Sequence, residues 1–336
     1  MNSYVLKKSR TLLFALMIVL VAVIALIALR TPPPPAAPLP NPNGYDDFRK
    51  AAALLAGDVG NATTLDLGGL RQLMATNAEP LQLLRLGLTR NCSMPTVAAA
   101  TNFSLLSSEL TGQKQLAQLL AAEGRLAELE NRPADAAGSY MDVIRFGNEI
   151  SRGGFILVRL VGIACEAIGL TPLARLAPNL DWPQQRALAA ELEKADRTAV
   201  TWEEVMQAEN KFRRHQLRHI HNPITVLTGW WYNRGANKRA EDKHNRVEAR
   251  LRLLAVELAL RCYRSEQGAA PARLDQLVPR YLQSVPLDPF SGQPLIYRVQ
   301  GTNWLLYSVG VDRVDDGGTP AGRLRDKGDL FFDSPW

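Results

Sequence analysis

The sequence predicts a mainly α-helical protein in three parts: an N-terminal transmembrane helix, a long helical domain, and a small C-terminal α+β module with an antiparallel hairpin. Three observations carry this reading. Residues 11–29 form an unbroken apolar run, residues 44–240 keep apolar side chains at helical spacing almost throughout, and two alternating runs near the C-terminus flank a Gly-containing turn.

The run TLLFALMIVLVAVIALIAL contains no charge, proline or glycine. Its 19 residues would span roughly 28 Å as a helix, close to the hydrocarbon thickness of a bilayer. Lys7, Lys8 and Arg10 precede it and only Arg30 follows, which places the N-terminus in the cytoplasm. A cleaved signal peptide would have a shorter apolar core and a small-x-small site; this run ends in Leu29-Arg30-Thr31 and prolines. The expectation is an uncleaved signal-anchor: residues 1–30 are a basic stub and membrane span, and the rest is a periplasmic domain held at the cytoplasmic membrane. Membrane lipid is then the partner of residues 11–29. Residues 31–43, TPPPPAAPLPNPN, read as a polyproline spacer.

The net charge of +6 owes much to the membrane flank. Without the four basic residues of the first thirty, 35 basic residues face 33 acidic ones, so composition does not support a nucleic-acid partner. Cys92, Cys165 and Cys262 are far apart and odd in number, without metal-ligand spacing; the two later ones sit in apolar helical patterns, as small core residues do.

Within 44–240 the spacing predicts helices near 44–57, 66–76, 79–90, 103–130, 133–151, 154–177, 183–196 and 198–220. Asp181-Trp182-Pro183 is a helix start, with Asp181 as cap and Pro183 in the first turn. Residues 118–151 read as a helical hairpin of tetratricopeptide type, with Ala136 and Tyr140 where such repeats place a small residue and an aromatic. No second copy follows at that period, so the domain is either a helical bundle or TPR-like.

All four histidines, His215, His219, His221 and His244, fall between positions 211 and 250, among ten basic and three acidic residues and around Trp230-Trp231-Tyr232. His215 and His219 share a helix face, but no glutamate completes a zinc motif. The expected structure is a solvated helix face followed by an aromatic-anchored loop. A metal-dependent envelope hydrolase using these histidines, or a lipid-surface sensor using the tryptophans, are the alternative readings.

Residues 241–336 form the α+β module. A helix is expected near 244–267, where Leu251, Leu254, Val256, Leu258 and Leu260 spread widely, and a short one at 272–277. LIYRV (295–299) and WLLYSV (304–309) then form a hairpin across Gln300-Gly301-Thr302-Asn303, with a third short run at 329–332 beside it.

The stretches LDQLVPRYLQSVPLDPFSGQPLIY, LYSVGVD, DDGG and KGDLFF, in that order, resemble the C-terminal half of the type II secretion major pseudopilin. The tail is also similar to that of bacterial membrane-anchored proteins that carry it behind a helical domain. The likeness covers residues 245–332. It implies a pseudopilin-like head with an Asp-Pro loop and an acidic glycine loop that holds calcium. By that likeness Asp312, Asp326 and Asp329 match the family's acidic positions. The pilin processing signal is absent at the N-terminus. Independently of the resemblance, Asp312, Asp315, Asp316, Asp326 and Asp329 lie close together among glycines, the composition of an oxygen-rich calcium loop; Arg313, Arg323, Arg325 and Lys327 compete for the same carboxylates. With no nucleophile–base motif and no phosphate loop, the expected role is non-catalytic: an extracytoplasmic binding or scaffold protein of the bacterial envelope, partnered by envelope proteins and linked to a secretion or pilus-type system.

Overall fold

The computed structural model describes residues 38–95, 103–217, 223–322 and 327–335. The expected membrane span at 11–29 lies outside them, as does the linker up to residue 37. The described chain is mainly helical, with one two-stranded antiparallel sheet.

α1 (Gly44–Ala53) starts where Asn43 accepts from the Tyr45 amide at 3.2 Å. The same side chain accepts from Ser93 N at 3.0 Å and donates to Ser93 O at 2.8 Å, so one cap also fixes the 91–93 segment. α2 (Leu67–Thr76), capped by Asp66, and α3 (Ala78–Leu88) follow. The long helices come next: α4 (Phe103–Leu129), α5 (Pro133–Ser151) and α6 (Ile156–Leu176). Leu116, Leu119, Leu120, Val143, Phe146 and Val158 form much of the core they share with α1–α3. In the hairpin of α4 and α5, Ala136 and Tyr140 are buried at the positions the repeat-type reading expects.

α5 and α6 pack closely enough that a Cβ on Gly147 would lie 2.5 Å from Gly162 O, and one on Gly162 would lie 2.4 Å from Gly147 O. Only glycine permits that approach. Among the described residues, 156–179 is the one helical stretch long and apolar enough to cross a membrane. It is also a core helix of the domain, with Arg159 and Glu166 buried along it.

α7 (Trp182–Arg197) begins as expected: Gln184 N donates to Asp181 Oδ1 at 2.9 Å, and Gln184 Oε1 accepts from Asp181 N at 3.2 Å. α8 (Trp202–Leu217) starts four residues later than the periodicity suggests. There Thr201 and Glu204 form a second reciprocal cap, with Thr201 N to Glu204 Oε2 at 2.8 Å and Glu204 N to Thr201 Oγ1 at 3.2 Å.

α9 (Pro223–Gln267) is a single 45-residue helix. It includes the backbone of Trp230-Trp231-Tyr232, where the sequence suggested a loop, and it runs through the expected division between residues 240 and 241. One face of it, Leu251, Leu254 and Leu258, packs into a core with α5, α6 and α7. The opposite face, Leu253, Val256 and Leu260, packs against Leu274, Leu277, Leu282, Leu295 and Leu306 of the C-terminal module. The wide spread of leucines reflects a helix covered on two sides, by helices as well as by the module.

In the module a 3-10 turn (Leu274–Leu277) replaces the short helix expected at 272–277. The hairpin is β1 (Ile296–Gln300) and β2 (Asn303–Tyr307), in register Ile296↔Tyr307 through Gln300↔Asn303. Its two-residue turn has Gly301 at φ 62°, as a type II′ turn requires at its first central position. The third run contributes two isolated bridges, Ser308↔Leu330 beside the hairpin and Pro320↔Asp329 to the preceding loop.

Candidate functional site

In the acidic loop the carboxylates of Asp312, Asp315 and Asp329 are already engaged by the protein, whereas Asp316 is held through its backbone. Asp315 accepts from Arg298 Nη2 and Tyr307 OH, both at 2.7 Å, and from Gly317 N at 2.9 Å. The Tyr307 hydroxyl is the main reason its carboxyl is held below the usual range. Asp329 is fully buried and accepts from Gly318 N at 2.7 Å and Asp316 N at 3.4 Å; burial pushes its carboxyl upward. Asp312 accepts from Val314 N at 3.2 Å. The Asp316 amide donates to Asp329, and its carbonyl accepts from Thr319 Oγ1 at 2.9 Å. Asp326 lies outside the described residues, as do His219, His221 and the side chains of His215, Trp230 and Trp231. Among the described residues no three His, Cys, Asp or Glu side chains gather as a metal site. The three cysteines are free thiols, all buried.

A carboxylate the sequence reading did not single out organises the module. Asp288, in the Asp-Pro loop, is buried; its Oδ1 accepts from Ser308 Oγ and Phe290 N at 2.9 Å each, and its Oδ2 accepts from Val309 N at 3.0 Å. It ties that loop to the end of β2. The Leu-Asp-Pro-Phe-Ser-Gly stretch held the signal, since an aspartate before such a turn favours side-chain to backbone bonds.

Two concavities stand out beyond the loop. The larger, of about 1440 Å³, is a mainly apolar groove lined by Ala121 and Ala122 of α4 and by Ala167, Ile168, Thr171 and Pro172 of α6. Residues 332–335 line it too. They are held there by Arg250 Nε donating to Phe332 O at 3.1 Å and Arg246 Nη1 donating to Pro335 O at 2.8 Å. Arg125 and Arg175 also line the groove. Arg125 donates to the carbonyls of Ala62 and Thr63, and the exposed Arg175 pairs with Glu128.

The smaller concavity, of about 250 Å³, is ringed by charged side chains and lies where α5, α6, α7 and α9 meet the 198–201 loop. Its interior wall is a buried network. Arg159 forks onto Glu166 two turns along α6, donates from Nη1 to Ser151 Oγ at 3.3 Å, and donates from Nε to His244 Nδ1 at 3.0 Å. All three charged or titratable members are at most 4% exposed. A guanidinium does not release its proton, so His244 Nδ1 is the acceptor and the imidazole carries its hydrogen on Nε2. Burial, with Arg159 and Arg252 nearby, lowers the His244 pKa to about 3. On the next turn of α9 Glu248 pairs with Arg252, which also binds Asp196 at 2.9 and 3.0 Å. Burial raises the carboxyls of Glu248 and Asp196 against the pull of that arginine.

The chain matches no protein-family model, no curated protein and no solved structure.

Proposed function

We infer that the protein is a membrane-tethered, extracytoplasmic binding protein of the bacterial envelope, linked to a secretion or pilus-type apparatus, whose helical domain takes an apolar helix of an envelope partner into the groove between α4 and α6. The groove is the observation that carries this reading. A cylinder about 10 Å across and three helical turns long has a volume on the order of 1300 Å³, close to the 1440 Å³ available. Alanines on both lining helices leave room for close backbone approach, while Ile168 and Pro172 supply apolar contact. The pseudopilin-like order of motifs in residues 245–332 and the apolar run at 11–29 support the envelope location.

A photo-cross-linking residue at Thr171 tests the reading in intact cells. The expected products map to an apolar helical segment of a partner and disappear in an Ile168→Asp background. Cross-links that fall only on lipid, or that persist unchanged in that background, overturn it.

A further inference from the structure

The smaller cleft has a chemistry of its own, independent of the groove. Four arginines (145, 159, 197 and 252) line it together with four carboxylates (Glu149, Glu166, Asp196 and Glu248), so with a neutral His244 the lining carries no net charge. A strongly charged ligand would gain little there and would lose its hydration.

Its lining holds a donor and an acceptor that do not reach each other. His244 Nε2 and Glu248 Oε2 are 3.9 Å apart, too far for a direct hydrogen bond. Among the described residues nothing accepts from Nε2, although the side chain is only 6% exposed. Glu248 turns its other oxygen to Arg252. An oxygen placed about 2.8 Å from both atoms closes the gap, accepting from Nε2–H and donating to the carboxylate. Only a group that both donates and accepts does this. A ligand carboxylate cannot donate, and an ammonium cannot accept. Water does both, and a ligand hydroxyl that takes its place does the same.

The lining also offers a flat apolar surface. The Trp202 indole lies 5.7 Å from the His244 ring, tilted by 46°, and lines the same cleft. The loop beside it is fixed: Val200 N donates to Asn148 Oδ1 at 2.8 Å, and Thr198 O accepts from Asn148 Nδ2 at 3.3 Å. An indole wall suits a ring with an apolar face rather than an open chain. The 250 Å³ available corresponds to about eight liquid-water volumes, enough for one six-membered ring and its hydroxyls.

We propose that this cleft binds a neutral, hydroxyl-bearing ring of single-sugar size, with one hydroxyl bridging His244 Nε2 and Glu248 and a ring face against Trp202. His244 and Glu248 are the specificity-determining pair, and Arg159 is a positioning residue that fixes the imidazole's hydrogen on the side facing the ligand.

The full-length chain in lipid nanodiscs, free of glycoside detergent, is titrated by calorimetry with glucose and N-acetylglucosamine. Open-chain sorbitol and the charged glucuronate and glucosamine serve as comparisons. The neutral rings are expected to bind with Kd of about 1–10 mM, the range open to a ligand of this size. Sorbitol and the charged analogues should bind at least about tenfold more weakly, the equivalent of one lost hydrogen bond. Two variants on different helices separate the contacts. His244→Asn keeps an acceptor for Arg159 but ends short of Nε2, and Trp202→Leu removes the indole. Each should weaken the neutral rings about tenfold while the far-UV spectrum stays unchanged. The ranking of probes on the unaltered chain stands whether or not a variant folds. Equal binding of sorbitol or of either charged analogue overturns the proposal, as does absence of binding up to roughly 100 mM.

Discussion

Lowering the pH from 7 to 5 should destabilise the fold through His244 by a calculable amount. In the unfolded chain its imidazole titrates at the ordinary value near 6.5, whereas in the fold burial beside Arg159 and Arg252 lowers its pKa to about 3. The sign follows directly: below pH 6.5 the unfolded state takes up a proton that the folded state refuses, so stability falls as pH falls through the window between the two values. At pH 5 the unfolded group is almost wholly protonated and the folded one almost wholly neutral, which costs about 2 kcal/mol at 1.36 kcal/mol per pH unit over about 1.5 units. Any folded value well below 5 gives nearly the same figure, so the prediction is insensitive to its depth. The assay is urea unfolding at pH 7, 6 and 5 for the wild type and for His244→Asn, whose amide oxygen still accepts from Arg159 Nε. The other titrating groups are common to both proteins, so the difference between the two pH profiles isolates His244. A wild-type chain no more acid-sensitive than the variant would refute a neutral, buried imidazole at this position.

The same network predicts a strong asymmetry between single and double substitutions. Arg159→Met strands the Glu166 carboxylate in the interior and should cost about 3–5 kcal/mol, while Arg159→Met/Glu166→Leu should recover most of that; denaturant midpoints decide it, and a double variant no better than the single would count against the pair. Asp288→Ala removes the acceptor for two backbone amides and the Ser308 hydroxyl; the hydroxyl can turn elsewhere but the amides cannot, so the loss should be about 2–5 kcal/mol. Hydrogen exchange at Val309 and Phe290 would accelerate in that variant, and unchanged protection would argue that Asp288 is dispensable. Thr201→Val removes one half of the cap on α8 and should cost about 1 kcal/mol in thermal unfolding; the Trp202 edge of the smaller cleft would loosen with it.

Much of the secondary structure was legible because its signals are local. The cap Asp181 and the following proline mark α7 to within a residue. Gly301 marks the hairpin turn because it alone among the turn residues adopts positive φ without strain. Tyr140 and Ala136 announce the α4–α5 hairpin by type and spacing. Apolar periodicity continues through 198–201 and so places the start of α8 four residues early; only the Thr201–Glu204 pair fixes where the helix begins. The run of tryptophans and basic residues before His244 hid the true length of α9, since it lacks a period of its own. The acidic loop was conspicuous by composition, yet composition does not say which donors a carboxylate meets; Arg298 and Tyr307 reach Asp315 from the two strands of the hairpin.

The sequence by itself determined the helical class, the order of the helices and the approximate limits of those before α9, the hairpin and its turn, because each follows from side-chain spacing and end chemistry within a few residues. Tertiary structure alone decided that α9 is shared by two cores, that alanines of α4 and α6 line one groove, and that Arg159 meets His244 from 85 residues away. The periodicity of a helix states which face is apolar and leaves open what will cover it. Chain distance carries no geometry, so the partners of a buried charge become visible only when packing brings the helices together.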